Sequence, residues 1–458
     1  MKSVALHNLG CKVNAYETDV MQQMLEEKGY MIVPFHEVAD IYIINTCTVT
    51  NIADRKSRQM LHQAKARNPK AVVVAVGCYV QTGGEEAAKD ASIDLAIGNN
   101  KKKDLVPILE EFLQQRETAA APRIIDINAG CDYEEVKLLR TAEHTRAYIK
   151  IQDGCNQFCS YCIIPYARGR VRSRKWEDIR QEMEGLAEAG YKEVVFTGIH
   201  ISSYGLDFDD EAWEQGKSLT REKEIGGRDY TGSAKLLDLL ERVQDIPGIE
   251  RIRLGSLEPR IITGETAGRL AAMPKICPHF HLSLQSGCDE TLKRMNRHYT
   301  TGEYLQCVKY LRNAYEYPAI TTDVIVGFPG ESDEEFERTY SFLQEAALYE
   351  MHIFKYSRRK GTTAAKMPGQ IQAAIQTERS NRLFALKKEL SAAYRMAYIG
   401  KEAEVLFEDT KILDGKQYCL GHTAQYVRVA RQTEEELSGC IRKGRIKGFL
   451  EEEILLME

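Results

Sequence analysis

Cys155, Cys159 and Cys162, in the run CNQFCSYC, are spaced C-x3-C-x2-C on a short loop after the apolar run AYIKIQDG. Three thiolates this close in sequence can hold three irons of a 4Fe–4S cluster and leave the fourth iron open to a ligand. A structural zinc site would want a further cysteine or histidine nearby, usually as a second pair, and no second pair follows. Cys11, Cys47 and Cys78 lie far apart in sequence, yet each falls just after an apolar run: SVALHNLG, DIYIINT and AVVVAVG. Runs of this kind read as buried parallel strands. The carboxyl ends of such strands line one edge of an open sheet, where ligands bind. With neighbouring strands about 4.8 Å apart, the three cysteines can converge on a second cluster, again with one open iron. The plainer alternative is three buried structural cysteines, a common fate of this residue.

Elements able to position these groups can be read from the same runs. Helical patterns such as ETDVMQQMLEEKGY separate the first strands, which predicts an α/β N-terminal domain, an open parallel sheet of flavodoxin or Rossmann type, over residues 1–120. A looser stretch, QQRETAAAPR, begins a linker near residue 114. From 141 to 375, the strand candidates AYIKIQ, EVVFTG, RIRLGS, HFHLSL, TTDVIVGF and MHIFKYS alternate with helices and predict a central partial (β/α)6 barrel. A connecting helix is expected over 376–397, and the alternating runs of 398–458 predict a small C-terminal β-barrel. Residues 206–230 carry eight acids and four bases without a clear periodicity, a long loop inside the central region.

Composition narrows the class. Of 458 residues, 43% are hydrophobic and 28% charged, with a net charge of −5, so no global basic character argues for nucleic acid. Twelve cysteines in clustered patterns favour metal or redox work in a reducing compartment over disulfides. The N-terminal run MKSVALHNLGCKVN does not read as a signal peptide, and no run of about 18 apolar residues suggests a membrane helix, so a cytoplasmic protein is expected. Cys131, Cys277, Cys288, Cys307, Cys419 and Cys440 share no spacing logic and are expected to be structural.

The two cysteine triplets together resemble those of the methylthiotransferases, radical S-adenosylmethionine (SAM) enzymes with an N-terminal cluster domain, a radical SAM domain and a C-terminal TRAM domain. The resemblance covers nearly the whole chain. The runs LGCKVNAYETD, NTCTVTNIADRKSRQ and AVGCYVQ are most similar to the bacterial group that modifies threonylcarbamoyl-adenosine, the tRNA base 3′ of the anticodon, and Lys12-Val13-Asn14 is the discriminating feature. The resemblance implies two 4Fe–4S clusters, with SAM bound at the open iron of the Cys155–Cys159–Cys162 cluster. One electron then breaks a sulfonium bond and yields a 5′-deoxyadenosyl radical. A second SAM gives a methyl group to sulfur held at the other cluster. An electron donor such as flavodoxin or ferredoxin is implied, and a sulfur donor if the cluster's own sulfur is not consumed.

Residue by residue, Tyr161 takes the aromatic position near the adenine of SAM, and Phe196–His200 (FTGIH), with Gly198, resembles the strand end that meets its amino group. Gln285 and Ser286 of HLSLQSG fall near its ribose and methionine part, Asp323 of TTDVIVGFPGE is a polar contact, and the family's arginine falls on Arg359. Thr363 stands where a proline is usual. His200 alone reads more simply as a satisfied loop histidine.

For RNA, Arg168, Arg170, Arg172, Arg174 and Lys175 lie within eight residues without an acid, a pattern suited to phosphates. A solvated face or arginines paired with acids is the plain alternative. Residues 398–458 hold nine Lys/Arg against twelve Asp/Glu, so RNA contact there would use one face, with Arg442, Lys443, Arg445 and Lys447, and Tyr418 and Tyr426 as stacking candidates. Two rival functions are the same chemistry on isopentenyl-adenosine or on a ribosomal protein. A third, of another class, is a non-catalytic iron–sulfur sensor that binds RNA.

Overall fold

The computed structural model describes residues 2–114, 123–129, 132–138, 145–217 and 233–458. The Val/Ile-rich runs at its start form a five-stranded sheet, parallel throughout. Its strands are β1 (Ser3–Asn8), β2 (Met31–Ile32), β3 (Ile41–Thr46), β4 (Val72–Gly77) and β5 (Leu95–Ile97), in the order 2-1-3-4-5. That is the flavodoxin order, whose ligand crevice opens where β1 and β3 part their connections to opposite faces. Both central strands β3 and β4 are buried along their whole length, which is why they read as unbroken apolar runs. Helices α1 (Lys12–Glu27), α2 (Asn51–Arg67), α3 (Cys78–Ala88) and α4 (Leu105–Gln114) cover the faces. Thr50 caps α2 by accepting from the Ala53 amide.

The central region is built on six parallel strands: β6 (Ala147–Asp153), β8 (Glu193–Gly198), β9 (Arg251–Leu254), β10 (His279–His281), β11 (Ala319–Val326) and β12 (Glu350–Lys355). A short strand, β7 (Arg172–Ser173), adds antiparallel to β6. Single bridges, Ile252 to Ile276 and Leu257 to Leu282, carry the sheet across from β9 to β10. The connecting helices are α5 (Ile164–Arg168), α6 (Trp176–Glu188), α7 (Asp210–Glu214), α8 (Ser233–Arg242), α9 (Gly264–Ala271), α10 (Asp289–Arg294), α11 (Thr301–Ala314) and α12 (Asp333–Ala346). One continuous apolar core, including Phe196, Leu254, Phe280, Leu282 and Val324, lies between strands and helices. Of the acidic loop, residues 206–217 close against the core through Phe208 and Trp213, stacked 5.5 Å apart; residues 218–230 and Cys131 lie outside the described residues.

Helix α13 (Ala373–Met396) leads to a closed five-stranded barrel of β13 (Glu402–Leu413), β14 (Lys416–Thr423), β15 (Arg428–Gln432), β16 (Ile441–Glu451) and β17 (Ile454–Met457). The sequence run QYCLGHTAQYVRVA divides into two strands because Tyr426, at φ +68°, turns the chain. The presumed linker is more than a tether. Arg123 bridges to Ile97, Tyr133 donates to the Lys150 carbonyl, and Leu138 is fully buried, so residues 123–129 hold to the first sheet and 132–138 to the second.

Candidate active site

Strand ends in the first sheet deliver Cys11, Cys47 and Cys78 to one place. Cys47 follows β3 directly, Cys78 opens α3, and Cys11 sits past a two-residue turn after β1. Their thiols lie near enough for the charge of each to act on the others. Gly10 makes the approach possible: at φ +104°, a Cβ there would lie 2.8 Å from the Cys47 sulfur. Burial pushes the Cys47 thiol up to about 11; a bound iron reverses that logic by taking the thiolate as ligand. Asn99 Nδ2 lies 3.5 Å from the Cys78 sulfur and Arg168 Nε 3.2 Å, so two N–H groups aim at it.

Behind these sulfurs is a buried ion network. The Arg168 guanidinium contacts both carboxylate oxygens of Glu17 at 2.5 and 3.0 Å, Asn14 Oδ1 at 2.6 Å and Asp153 at 3.3 Å. Lys102 and Lys150 also pair with Glu17, and Lys150 and Arg172 with Asp153. Burial alone would raise the Glu17 carboxyl, but Arg168, Lys102 and Lys150 hold it well below the usual carboxylate range. Cations outnumber carboxylates here, which suits a neighbouring site of thiolates.

The second triplet lies on the loop that follows the C-terminal end of β6. Cys155, Cys159 and Cys162 are mutually close enough to interact, and Arg297 donates to the Cys159 sulfur at 3.2 Å. Phe158 turns the loop at φ +48°, and Asn296 donates to its carbonyl at 3.0 Å. Burial, first of all, pushes the Cys155 thiol up to about 12. Beyond β8, the His200 amide donates to Gln152 Oε1 and its Nδ1 meets Ser203 Oγ at 2.6 Å, while its Nε2 is buried without a partner. An orphaned ring nitrogen beside this triplet's arginine fits a ligand bound at the triplet; burial, then Arg297, holds His200 down at about 3, hence neutral.

Beside Cys11 opens a cavity of about 780 Å³, lined by Gly10, Cys11 and Lys12 of the first domain, by Gly198, His281, Asp323 and His352 of the barrel strands, and by His422, Tyr426 and Arg428 of the C-terminal barrel. Period-two alternation builds its wall. Phe280, Leu282, Val324 and Met351 face the apolar core, while His279, His281, Thr321, Asp323, Glu350 and His352 line the cavity. The ligand atoms of His281, Asp323 and His352 lie within 4.8 Å of one another. Of this polar face the sequence reading names Asp323 and misses the histidines, although HFHLSL and MHIFK carry them. Lys12 lines the cavity, where desolvation by the surrounding atoms, with Arg253 and Arg146 nearby, lowers its pKa to about 8.

The residues expected to contact SAM lie in different settings. Gly198 lines the cavity, and a Cβ there would meet the Gln152 carbonyl at 2.9 Å. Asp323 also faces it, 3.4 Å from His281 Nε2. Gln285 sits at φ +73° between β10 and β11, its amide donating to the Asp323 carbonyl at 2.8 Å. Tyr161 packs with Phe328 and Met295 beside its cysteines. Ser286, by contrast, is fully buried, its hydroxyl shared with Thr339 and the Cys288 amide, so it shapes a turn and presents nothing to a cofactor.

The arginine run is corrected more heavily. Arg168 is 1% exposed, and Arg174, held by Glu182 and Glu135 at 2.7 and 2.6 Å, is 0% exposed. Arg172 is buried against Asp153 and the Arg168 carbonyl. These three cannot reach a phosphate; acids distant in sequence claim them. Arg170 and Lys175 stay exposed, Arg170 over the Phe158 ring at 4.6 Å. Arg359 is also corrected: it bonds Asn51 and Asp54 at 2.7 and 2.5 Å and Thr48 at 2.6 Å, clipping the barrel rim to the loop that follows Cys47. Tyr418 is core, and Lys443 and Lys447 pair with Glu402 and Glu458. Exposed cations without a carboxylate partner among the described residues instead include Arg55, Lys56 and Arg58 on α2. No helix of the described residues is long and apolar enough to cross a membrane.

Comparison with known proteins bears on the whole chain. The radical SAM superfamily pattern matches residues 149–343, and the pattern described as uncharacterized protein family UPF0004 matches residues 3–98. The threonylcarbamoyladenosine tRNA methylthiotransferase MtaB of Bacillus subtilis is 38% identical over 447 residues, 97% of this chain and 94% of that protein. The protein of the same name from Aquifex aeolicus is 39% identical, covering 96% of this chain and 99% of its own. A tRNA-2-methylthio-N(6)-dimethylallyladenosine synthase of Moorella thermoacetica is 34% identical over 97% of this chain and 96% of that one. Among solved structures, the radical SAM methyltransferase TsrM of Kitasatospora setae, with cobalamin and a [4Fe-4S] cluster bound, superposes with a TM-score of 0.55 over 79% of this chain and 74% of that one; at 15% identity this is a likeness of fold.

Proposed function

We propose, for a chain that belongs to the radical SAM methylthiotransferase family, that it converts threonylcarbamoyl-adenosine at position 37 of tRNA to its 2-methylthio derivative. Cys155, Cys159 and Cys162 hold the reducing 4Fe–4S cluster, and Cys11, Cys47 and Cys78 an auxiliary one. When bound, the clusters and SAM supply the electron, the adenosyl radical, the methyl group and the sulfur.

The chain's own residues position and shield. Arg297 and Arg168 each direct a charged N–H at a cysteine sulfur, Gly198 lines the cavity at the end of β8, and Tyr161, Gln285 and Asp323 complete the surroundings of SAM. The cavity beside Cys11 admits the base. Residues 1–120 act as the cluster domain, 141–375 as the radical SAM domain, and 398–458 as a TRAM domain that grips RNA, with α13 between. RNA phosphates lie along Arg55, Lys56 and Arg58 of α2, with Arg170 and Lys175. A flavodoxin or ferredoxin delivers the electron in the cytoplasm.

The observation that carries the substrate reading is the polar cavity wall. A dimethylallyl group set against Lys12, His281, Asp323 and His352 would desolvate charged groups without replacing their water, whereas a threonylcarbamoyl group offers them a carboxylate, a hydroxyl and amide N–H groups. The test compares anaerobically reconstituted enzyme on tRNA bearing each modification, with mass spectrometry of tRNA nucleosides from cells lacking the protein. Product on the threonylcarbamoyl tRNA is expected. Efficient turnover of dimethylallylated tRNA would overturn the substrate, and no SAM cleavage after reduction would leave the RNA-binding sensor.

A further inference from the structure

We propose that Lys12 is the residue that reads the carboxylate of the threonylcarbamoyl group, and so selects the modified base. This rests on the substrate reading above and names the side chain that makes it.

Sorting the cations of the cavity by their partners singles Lys12 out. Lys387 and Arg395 both face Glu350, at 2.8 and 3.4 Å, and His281 and His422 face Asp323 and Glu408, at 3.4 and 3.1 Å. Just behind the wall, Arg253 is held by Glu193 and Arg146 by Glu408. Of the lysines and arginines lining the cavity among the described residues, Lys387 and Arg395 are paired, and Lys12 and Arg428 have no carboxylate within ion-pair distance. Arg428 belongs to the C-terminal barrel, whereas Lys12 follows Cys11 in the chain and opens α1.

Covalent structure then favours Lys12. Carbon 2 of adenine, which must face the sulfur held near Cys11, Cys47 and Cys78, is separated from N6 only by N1 and carbon 6. A base presented to that site therefore carries its N6 substituent to within a side chain's length of the residue beside Cys11. An ammonium offers three donors and a full charge to a carboxylate arriving there. The same ammonium discriminates against an apolar substituent, which would strip its water and return nothing.

The test uses the intact reconstituted enzyme and an anticodon stem–loop RNA carrying threonylcarbamoyl-adenosine, or the same RNA with the carboxylate converted to a primary amide. Wild type should bind the acid roughly tenfold to hundredfold more tightly than the amide. Lys12→Met should bind the two alike, and Lys12→Arg should keep the preference; iron content reports whether each variant retains its clusters. The acid–amide comparison on wild type stands even if Lys12→Met folds poorly. A preference that survives Lys12→Met, or one that collapses in Arg428→Ala instead, overturns the assignment. Wild type that methylthiolates acid and amide RNA equally well also overturns it and leaves the substrate reading intact, whereas no product on the acid form refutes that reading itself.

Discussion

Arg168 joins two domains through one guanidinium, and its removal can be worked out from its contacts. Arg168→Met takes away the bonds to Glu17, Asn14 and Asp153 and the N–H on the Cys78 sulfur. Breaking a buried pair costs about 3–5 kcal/mol, because a charge is left without its partner. Glu17 keeps Lys102 and Lys150, and Asp153 keeps Lys150, so the loss falls at the low end, about 3 kcal/mol. The chain has several domains, so a single unfolding midpoint is not well defined, and the assay is native-state hydrogen exchange on the amides of α1 and α5. Their protection should fall roughly a hundredfold. In Arg168→Met with Glu17→Gln, the combined loss should be smaller than the sum of the single losses, since neither charge is then stranded. Iron content should drop from about eight to about four per chain, because the auxiliary site loses its neighbouring donor and alignment. Unchanged protection with full iron, or strict additivity in the double variant, would show that the network does not hold the domains or the site.

Three further outcomes test other parts of the molecule. Cys47→Ala should keep reductive SAM cleavage and lose methylthio product, whereas Cys159→Ala should lose both; product from Cys47→Ala would remove the auxiliary cluster from the reaction. Arg359→Ala should free the loop after Cys47 and cut product at least tenfold with SAM cleavage retained, as expected on losing charge-assisted bonds of about 1.5–3 kcal/mol; an unchanged product rate would make the clip ornamental. His200 stays neutral in the folded chain, with its pKa lowered to about 3, while the unfolded chain binds a proton below its ordinary value near 6.5. Stability is therefore lost as pH falls below that value, by about 1 kcal/mol between roughly pH 6.5 and 5.5, and His200→Asn should flatten that part of the profile in the cluster-free protein.

Both cysteine sets were legible in the sequence for a physical reason: their spacing is local, or it follows strands whose apolar runs cannot be mistaken. The sheet order was narrowed to the flavodoxin type only by the pairing of β1 with both β2 and β3. Arginines misled, because a basic run does not say which acids will meet it. Arg174 finds Glu135 and Glu182, and Arg359 finds Asp54, 305 residues away. The polar cavity wall is divided among strands as short as the three residues of β10, too brief for alternation to stand out. Lys12 was noticed as a mark of resemblance; its place in the cavity gives that mark a physical content.

Tyr426 has a consequence of its own. The guanidinium groups of Arg146 and Arg253 lie 4.9 and 4.8 Å from its ring, which stacks on His422 at 4.5 Å. Arg253 further donates to the Ala424 carbonyl, so the turn of the small barrel is bolted to β9. A barrel fastened in this way does not swing on the domain that carries it. Under the proposed RNA grip it would act as a caliper, its fixed opening setting how far along a strand the reacting base must stand from the held backbone. Nucleotides one step nearer or farther would then be rejected by length alone.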